Sequence, residues 1–293
     1  MSDKSDAMGK KKDTSQWGLI LARYKRNKLA IVGLVILSFI VIAIVSAPLY
    51  IDYEDVITQD IPNRFSTPSF SHIFGTDALG RDLLARIIYG GRISLFSGIV
   101  AVGVGLSIGL VAGGTAGYFG GVLDTIIMRL SDVLQACPNL LLSMAVCIAL
   151  GDGTFTLAFA IAVTEIPRFT RLTRVSVLTL RSQEFVEAAK CCGTSNFRII
   201  AKHILPNGIG PVIIAATFAI GGAILSIAAL GFMGIGVSPP TPEWGTILSE
   251  NRQFVRHFPH LGIIPGVMIG LTVACANFIG DGLRDALDPK MKR

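Results

Sequence analysis

Few residues in this sequence are placed to do covalent chemistry. His257 and His260, two of only four histidines, have a spacing that could turn two imidazoles to one helical face as metal ligands. They flank Pro259 in a segment between apolar runs, so no metal site is assigned. Glu165 is the one carboxylate inside the hydrophobic part of an apolar stretch. An acid there could carry protons along a pathway, or pair with Arg168 one helical turn on; pairing is the reading adopted. The only Gly-Lys pair, Gly9-Lys10, lacks the phosphate-loop spacing, and neither a Gly-x-Ser-x-Gly elbow nor a His-Glu-x-x-His helix occurs. The chain is expected to catalyse no reaction and to bind no cofactor.

The polar segment that stands out is 184–206. Glu184 to Cys192 are good helix formers, and Gly193 stands where a left-handed cap would end such a helix. Ser195 or Asn196 could start a second short helix carrying Phe197, Ile199, Ile200 and Ile204, with Pro206 suited to the first turn of the next apolar helix. Ala188 and Ala189 leave a shallow surface between the possible anchors Phe185 and Phe197, a pattern suited to docking another protein.

The elements that must hold this segment are apolar. Charged residues make up 16% of the 293 residues, well short of the roughly 25% of soluble domains. Runs without Asp, Glu, Lys or Arg extend over 29–51, 93–123, 133–151, 206–241 and 257–280, each about long enough to cross a bilayer core of roughly 30 Å. A further span is placed between Gly153 and Thr170, running past Glu165 and Arg168. The expectation is an all-α membrane protein of six transmembrane helices. With both termini cytoplasmic, 20 of the 26 Lys and Arg residues fall in inner segments, as the positive-inside rule requires. The net charge of +6 then answers to the anionic inner leaflet of membrane lipid and not to nucleic acid. The five cysteines lie in or beside apolar stretches and imply no disulfide framework.

The organisation that follows is a cytoplasmic tail and basic interfacial helix (1–28), a first span (29–51), an outer loop with an interfacial helix (52–92), a five-helix core (93–281) and a cytoplasmic tail (282–293). In the outer loop Thr76 or Asp77 could cap a helix through Tyr89, with Asp82 and Arg86 paired along it. Gly105, Gly109, Gly113 and Gly117 recur every fourth residue, continued by Gly121, and Gly262, Gly266 and Gly270 repeat the pattern in the last span. Such rows let helices approach closely.

Glu187-Ala188-Ala189, then Gly193, then Leu205-Pro206 resembles the EAA loop of bacterial ATP-binding-cassette (ABC) importer permeases. His203-Ile204-Leu205-Pro206-Asn207 resembles the variant of peptide-type permeases. Phe74 to Asp82, Ile88 to Leu95, Arg26 to Ala30, Gly231 to Gly245 and Gly280 to Pro289 resemble the C-type subunit of dipeptide, oligopeptide and nickel importers. The resemblance implies a type I ABC importer permease fold and a bacterial plasma-membrane location. It also implies that Glu187, Ala188, Ala189, Gly193, Leu205 and Pro206 form the contact with ATPase subunits. The implied partners are a B-type permease subunit, two ABC ATPases that use ATP and Mg, and an extracytoplasmic substrate-binding protein. Peptides are the expected cargo; a nickel or metal-chelate importer of the same family is the nearer alternative. A proton-coupled transporter using Glu165 is the distant one.

Overall fold

The computed structural model describes residues 16–287, so the expected tail over 1–13 and the closing Asp288-Pro289 lie outside the described residues. In chain order the helices are α1 (Gln16–Tyr24), α2 (Lys28–Ser46), α3 (Tyr53–Ile57), α4 (Leu83–Phe119), α5 (Gly121–Ala136), α6 (Asn139–Leu150) and α7 (Thr154–Leu180). They continue as α8 (Glu184–Cys191), α9 (Asn196–Arg198), a π-helical stretch Ile199–Ile204, α10 (Leu205–Gly208), α11 (Gly210–Phe232), α12 (Trp244–Asn251) and α13 (His260–Leu287). Four are long and apolar enough to cross a membrane: α2 with its short extension to Leu49, α4, α11 and α13. The pair α5 and α6, bent by 91° at their junction, makes a fifth if taken as one broken span. The chain is a multi-pass helical membrane protein.

α2 shows how the bundle meets its solvent. The Asn27 side chain caps it by accepting from the Ala30 amide at 3.1 Å. Val35, Phe39, Ile42 and Val45 are all exposed, an apolar stripe suited to a nonpolar surrounding. On the other side Gly33 lies against Cys275 and Phe278, and Ala30 against Gly282, which seats α2 on α13. Tyr24 of α1 also touches Gly282, and Asn27 donates to Asp285 at 2.9 Å. Residues 282–287, expected as tail, are the last turn and a half of α13.

Several expected boundaries move, each for a local reason. The outer-loop helix and the second span are one helix, α4, of 37 residues and about 55 Å. Its cap is Asp82, which accepts from the Ala85 amide at 2.9 Å, and not Thr76 or Asp77. Asp82 also meets His72 Nδ1 at 2.9 Å, and so the expected Asp82–Arg86 pair does not form. The apolar run 133–151 is broken at Cys137-Pro138, because a proline lacks the amide a helix needs and forces its predecessor into extended backbone; Cys137 has φ −92° and ψ 139°. Pro206 lies in the first turn of the short α10 and Pro211 in the first turn of α11, so the fifth apolar helix starts one element later than expected. It also stops at Met233, where Gly234 takes φ +79°, well before the prolines near 240. Gly121 leaves the glycine row because Gly120 and Gly121 turn the chain with positive φ.

The end of α4 near Asp82 is held by buried charge. Asp77 Oδ2 accepts from Arg81 Nε at 2.7 Å and Arg86 Nη1 at 2.9 Å; Glu250 Oε2 on α12 accepts from Arg81 at 2.9 Å and Arg86 at 2.6 Å. Arg86 and Asp77 are fully buried, so each charge depends on its partners. Nearby, Glu243 accepts from Ser94 Oγ at 2.8 Å and the Thr246 amide at 2.9 Å. Burial pushes its carboxyl above the ordinary carboxylate range despite these bonds. Trp244 is fully buried and donates its indole N–H to Ile87 O at 2.9 Å, fastening α12 to α4.

Candidate functional site

The segment 184–206 folds as two short helical arms around a sharp turn. After α7, Arg181 reaches back to donate to the Gly117 carbonyl at 3.1 Å. α8 then starts at Glu184, with the Gln183 carbonyl accepting from Val186 N at 2.9 Å and Glu187 N at 3.3 Å. Its other end closes as a Schellman turn: Gly193 N–H donates to Lys190 O at 2.9 Å, and Thr194 N–H to Ala189 O at 3.1 Å. Gly193 has φ +71°, while a Cβ there would meet nothing within 4 Å. The glycine is therefore required by backbone conformation and not by lack of space. Ser195, extended at φ −63° and ψ 146°, begins the second arm.

Both arms are fixed to the bundle. Val186, Ile199 and Ile204 are fully buried together with Val177 of α7. Tyr118, next to last in α4, donates its hydroxyl to Asn196 Oδ1 at 2.9 Å and holds the Lys190 ammonium 5.6 Å from its ring centre. One side chain of α4 thus touches the arms on either side of Gly193. The face turned outward carries Glu187, Ala188 and Lys190 with Phe197, which is 82% exposed, and Phe185, at 39%. Ala189 and Leu205 are half-buried beneath this face, and Pro206 is exposed. The second arm is wound as a π-helix over Ile199–Ile204. In a regular α-helix the Pro206 ring would press on the Lys202 carbonyl, and the wider turn relieves it; π segments recur at functional sites.

The glycine rows differ in what they meet. A Cβ at Gly105 would lie 3.0 Å from Glu165 Cβ, one at Gly109 would collide with Phe169, one at Gly113 with Thr170 O, and one at Gly117 would lie 2.9 Å from both Arg174 O and Val177 Cβ. This row is the contact of α4 with α7, ending one residue before Tyr118. In α13, Gly262 lies against Val255, whereas Gly266 and Gly270 have nothing within 4 Å. Glu165 lies 3.6 Å from Arg168 Nη1. His257 is exposed while His260 lies against Gly75, and α13 begins only at His260, so the two imidazoles share no helical face.

Residues 105–293, which take in the α4–α7 contact and both arms, match the binding-protein-dependent transport system inner membrane component. The chain belongs to that family. Residues 15–68 match the N-terminal transmembrane domain of oligopeptide transport permease C. The dipeptide transport system permease protein DppC of Alkalihalophilus pseudofirmus is 46% identical over 278 residues, 95% of this chain and 91% of that relative. The glutathione transport system permease protein GsiD of Escherichia coli is 40% identical over 276 residues, 94% and 91% of the two chains. In fold the permease is similar to a chain of the MetNI methionine ABC transporter in an inward-facing conformation, with TM-score 0.57, 18% identity, and coverage of 69% of this chain and 97% of that one. Members of this family are transport components and not themselves enzymes.

The roles of Tyr118 and the π-helical arm are not legible in the sequence. Tyr118 stood beside a glycine row and looked like part of a span; its proximity to Asn196 comes only from the packing of α4 on α7.

Proposed function

We propose that this permease is one half of the translocation path of an ABC importer for dipeptides or oligopeptides. It works beside a B-type permease, with two ABC ATPases on the cytoplasmic side and a substrate-binding protein on the other. Glu187, Ala188, Ala189, Gly193, Leu205 and Pro206 form the contact that receives ATP-driven motion. The observation that carries this reading is the turn at Gly193, which exposes a small-residue face with two aromatic anchors while both arms stay packed on α4 and α7. Displacement of that face must therefore move the α4–α7 unit, a rigid-body route to alternating access. ATP and Mg belong to the partner ATPases, and this chain supplies path and lever. The dipeptide and glutathione systems of the two relatives support a peptide cargo over nickel.

In this reading the protein sits in the bacterial inner membrane with six spans and both termini cytoplasmic. The sixth is α7, whose Glu165, Arg168, Arg171 and Arg174 are accommodated by ion pairs with one another and with Asp132 and Asp124 of α5. Two measurements test the reading. In a background lacking native cysteines, a cysteine at Ser69 is expected to react with an impermeant reagent in intact cells and one at Ser195 to be protected; reversed labelling would refute the orientation. Glu187→Lys is expected to lower co-purification of the ATPases in a salt-dependent way, and unchanged recovery would refute the docking assignment.

A further inference from the structure

At the coupling-loop end of the bundle a cavity of about 620 Å³ opens between α7, α11 and α13, with Gln135 at its edge. Three guanidinium groups line it, Arg168, Arg171 and Arg284, against an apolar wall that includes Ile214 and Phe218. Two carboxylates lie within ion-pair distance of these arginines: Glu165 at 3.6 Å from Arg168, and Asp132 at 2.6 Å from Arg171. Among the described residues these pairs engage two of the three guanidinium groups.

The direction of the cavity follows from packing. α2, with its exposed apolar stripe, seats on α13 through Cys275, Phe278 and Gly282. Arg284 is nine residues past Cys275 and so lies about 180° round the helix at 3.6 residues per turn. On α7, Phe169, Thr173 and Val177 face the α4 glycine row, and Arg171 projects to another side of the helix, where it meets Asp132 of α5. Arg284 therefore looks away from α2, and Arg171 away from the α4 contact. Ionisable residues in membrane helices face protein or a water-filled cavity, and here the cavity is present.

We propose that this cavity receives the C-terminal carboxylate of the peptide as it passes inward. The inference rests on the peptide-import reading above. Guanidinium groups bind carboxylates through paired N–H donors, Gln135 can serve the adjoining peptide amide, and Ile214 with Phe218 give side chains of any type an apolar surface. The hollow is open to one side, and its volume falls in the roughly 300 to 1,000 Å³ range of small-ligand sites, the scale of a dipeptide or tripeptide. Because Glu165 and Asp132 already share the arginines, an arriving carboxylate is held weakly, which suits passage better than retention.

The test uses the whole complex with its binding protein, reconstituted in vesicles of phosphatidylcholine with and without phosphatidylglycerol. ATP-driven uptake of a dipeptide is compared with that of its C-terminal amide, for wild type, Arg168→Gln with Arg284→Gln, and Arg168→Lys with Arg284→Lys. Loss of charge-assisted bonds predicts that the Gln pair lowers free-acid uptake roughly tenfold more than amide uptake, in both lipid mixtures, with the Lys pair restoring much of the difference. Equal losses for acid and amide would overturn the site. A loss that appears only with phosphatidylglycerol would also overturn it, by making the anion a lipid headgroup. No wild-type uptake of either peptide would overturn the peptide reading and the site together, whereas wild-type uptake with equal losses overturns the site alone.

Discussion

The two glycine rows have the same spacing and opposite surroundings. Along α4, Gly105, Gly109, Gly113 and Gly117 face the backbone and Cβ atoms of α7; along α13, a Cβ at Gly266 or Gly270 would meet nothing within 4 Å among the described residues. The first row joins two helices into one body that ends at Tyr118, directly beneath the turn at Gly193. The second lies open beside the exposed Ile263 and Val267. A four-residue glycine repeat therefore does not by itself say what it packs against, and in the proposed reading only the first repeat bears on how motion at the two arms enters the bundle.

The comparison can be broken by filling each row. Gly109→Leu puts a side chain where Phe169 and the Thr170 backbone already stand, and the cost of overpacking, about 3 kcal/mol or more where backbone blocks relief, should sharply reduce membrane abundance of this chain even when it is expressed alone. Gly270→Leu should leave the abundance of the chain alone unchanged and lower only its recovery with the second permease. Quantifying both variants with and without that partner checks the pair of outcomes; equal behaviour of the two variants would erase the distinction. A smaller effect is expected at the far end of α4. Glu243 has a raised carboxyl in the folded state, so folding takes up protons there. Its contribution is full below the ordinary glutamate value of about 4.3 and is lost as pH rises through the raised folded value. Glu243→Gln should flatten that decline in thermal stability with pH, and an unaltered slope would show that Glu243 is not its source.

How much of this was legible in the sequence depended on range. The two arms of 184–206 were readable because a Schellman turn is local: Gly193 and the helix it ends are settled within ten residues. The α4 continuity was not, since Arg86 and Arg92 looked like the end of a loop; in the fold Arg86 is neutralised by Asp77 and by Glu250, which is 164 residues away. The i, i+4 spacing of Asp77 and Arg81 was the available hint, and the equally good spacing of Asp82 and Arg86 competed with it. The 91° break between α5 and α6 was signalled by Cys137-Pro138 but hidden inside an uncharged run. Which glycine row is packed could not be read at all, because neighbours in space decide it.

The central claim is that the turn at Gly193 transmits ATP-driven motion, and its backbone supplies the sharpest test. At φ +71° a β-branched residue is penalised by at least the roughly 1–2 kcal/mol of left-handed strain, while asparagine tolerates that region. The measurement is ATPase activity of the purified complex in lipid, with and without loaded binding protein, for wild type, Gly193→Val and Gly193→Asn at matched membrane abundance. The expected result is loss of stimulation in the valine variant and its retention, at least in large part, in the asparagine variant. Full stimulation in Gly193→Val would contradict the claim.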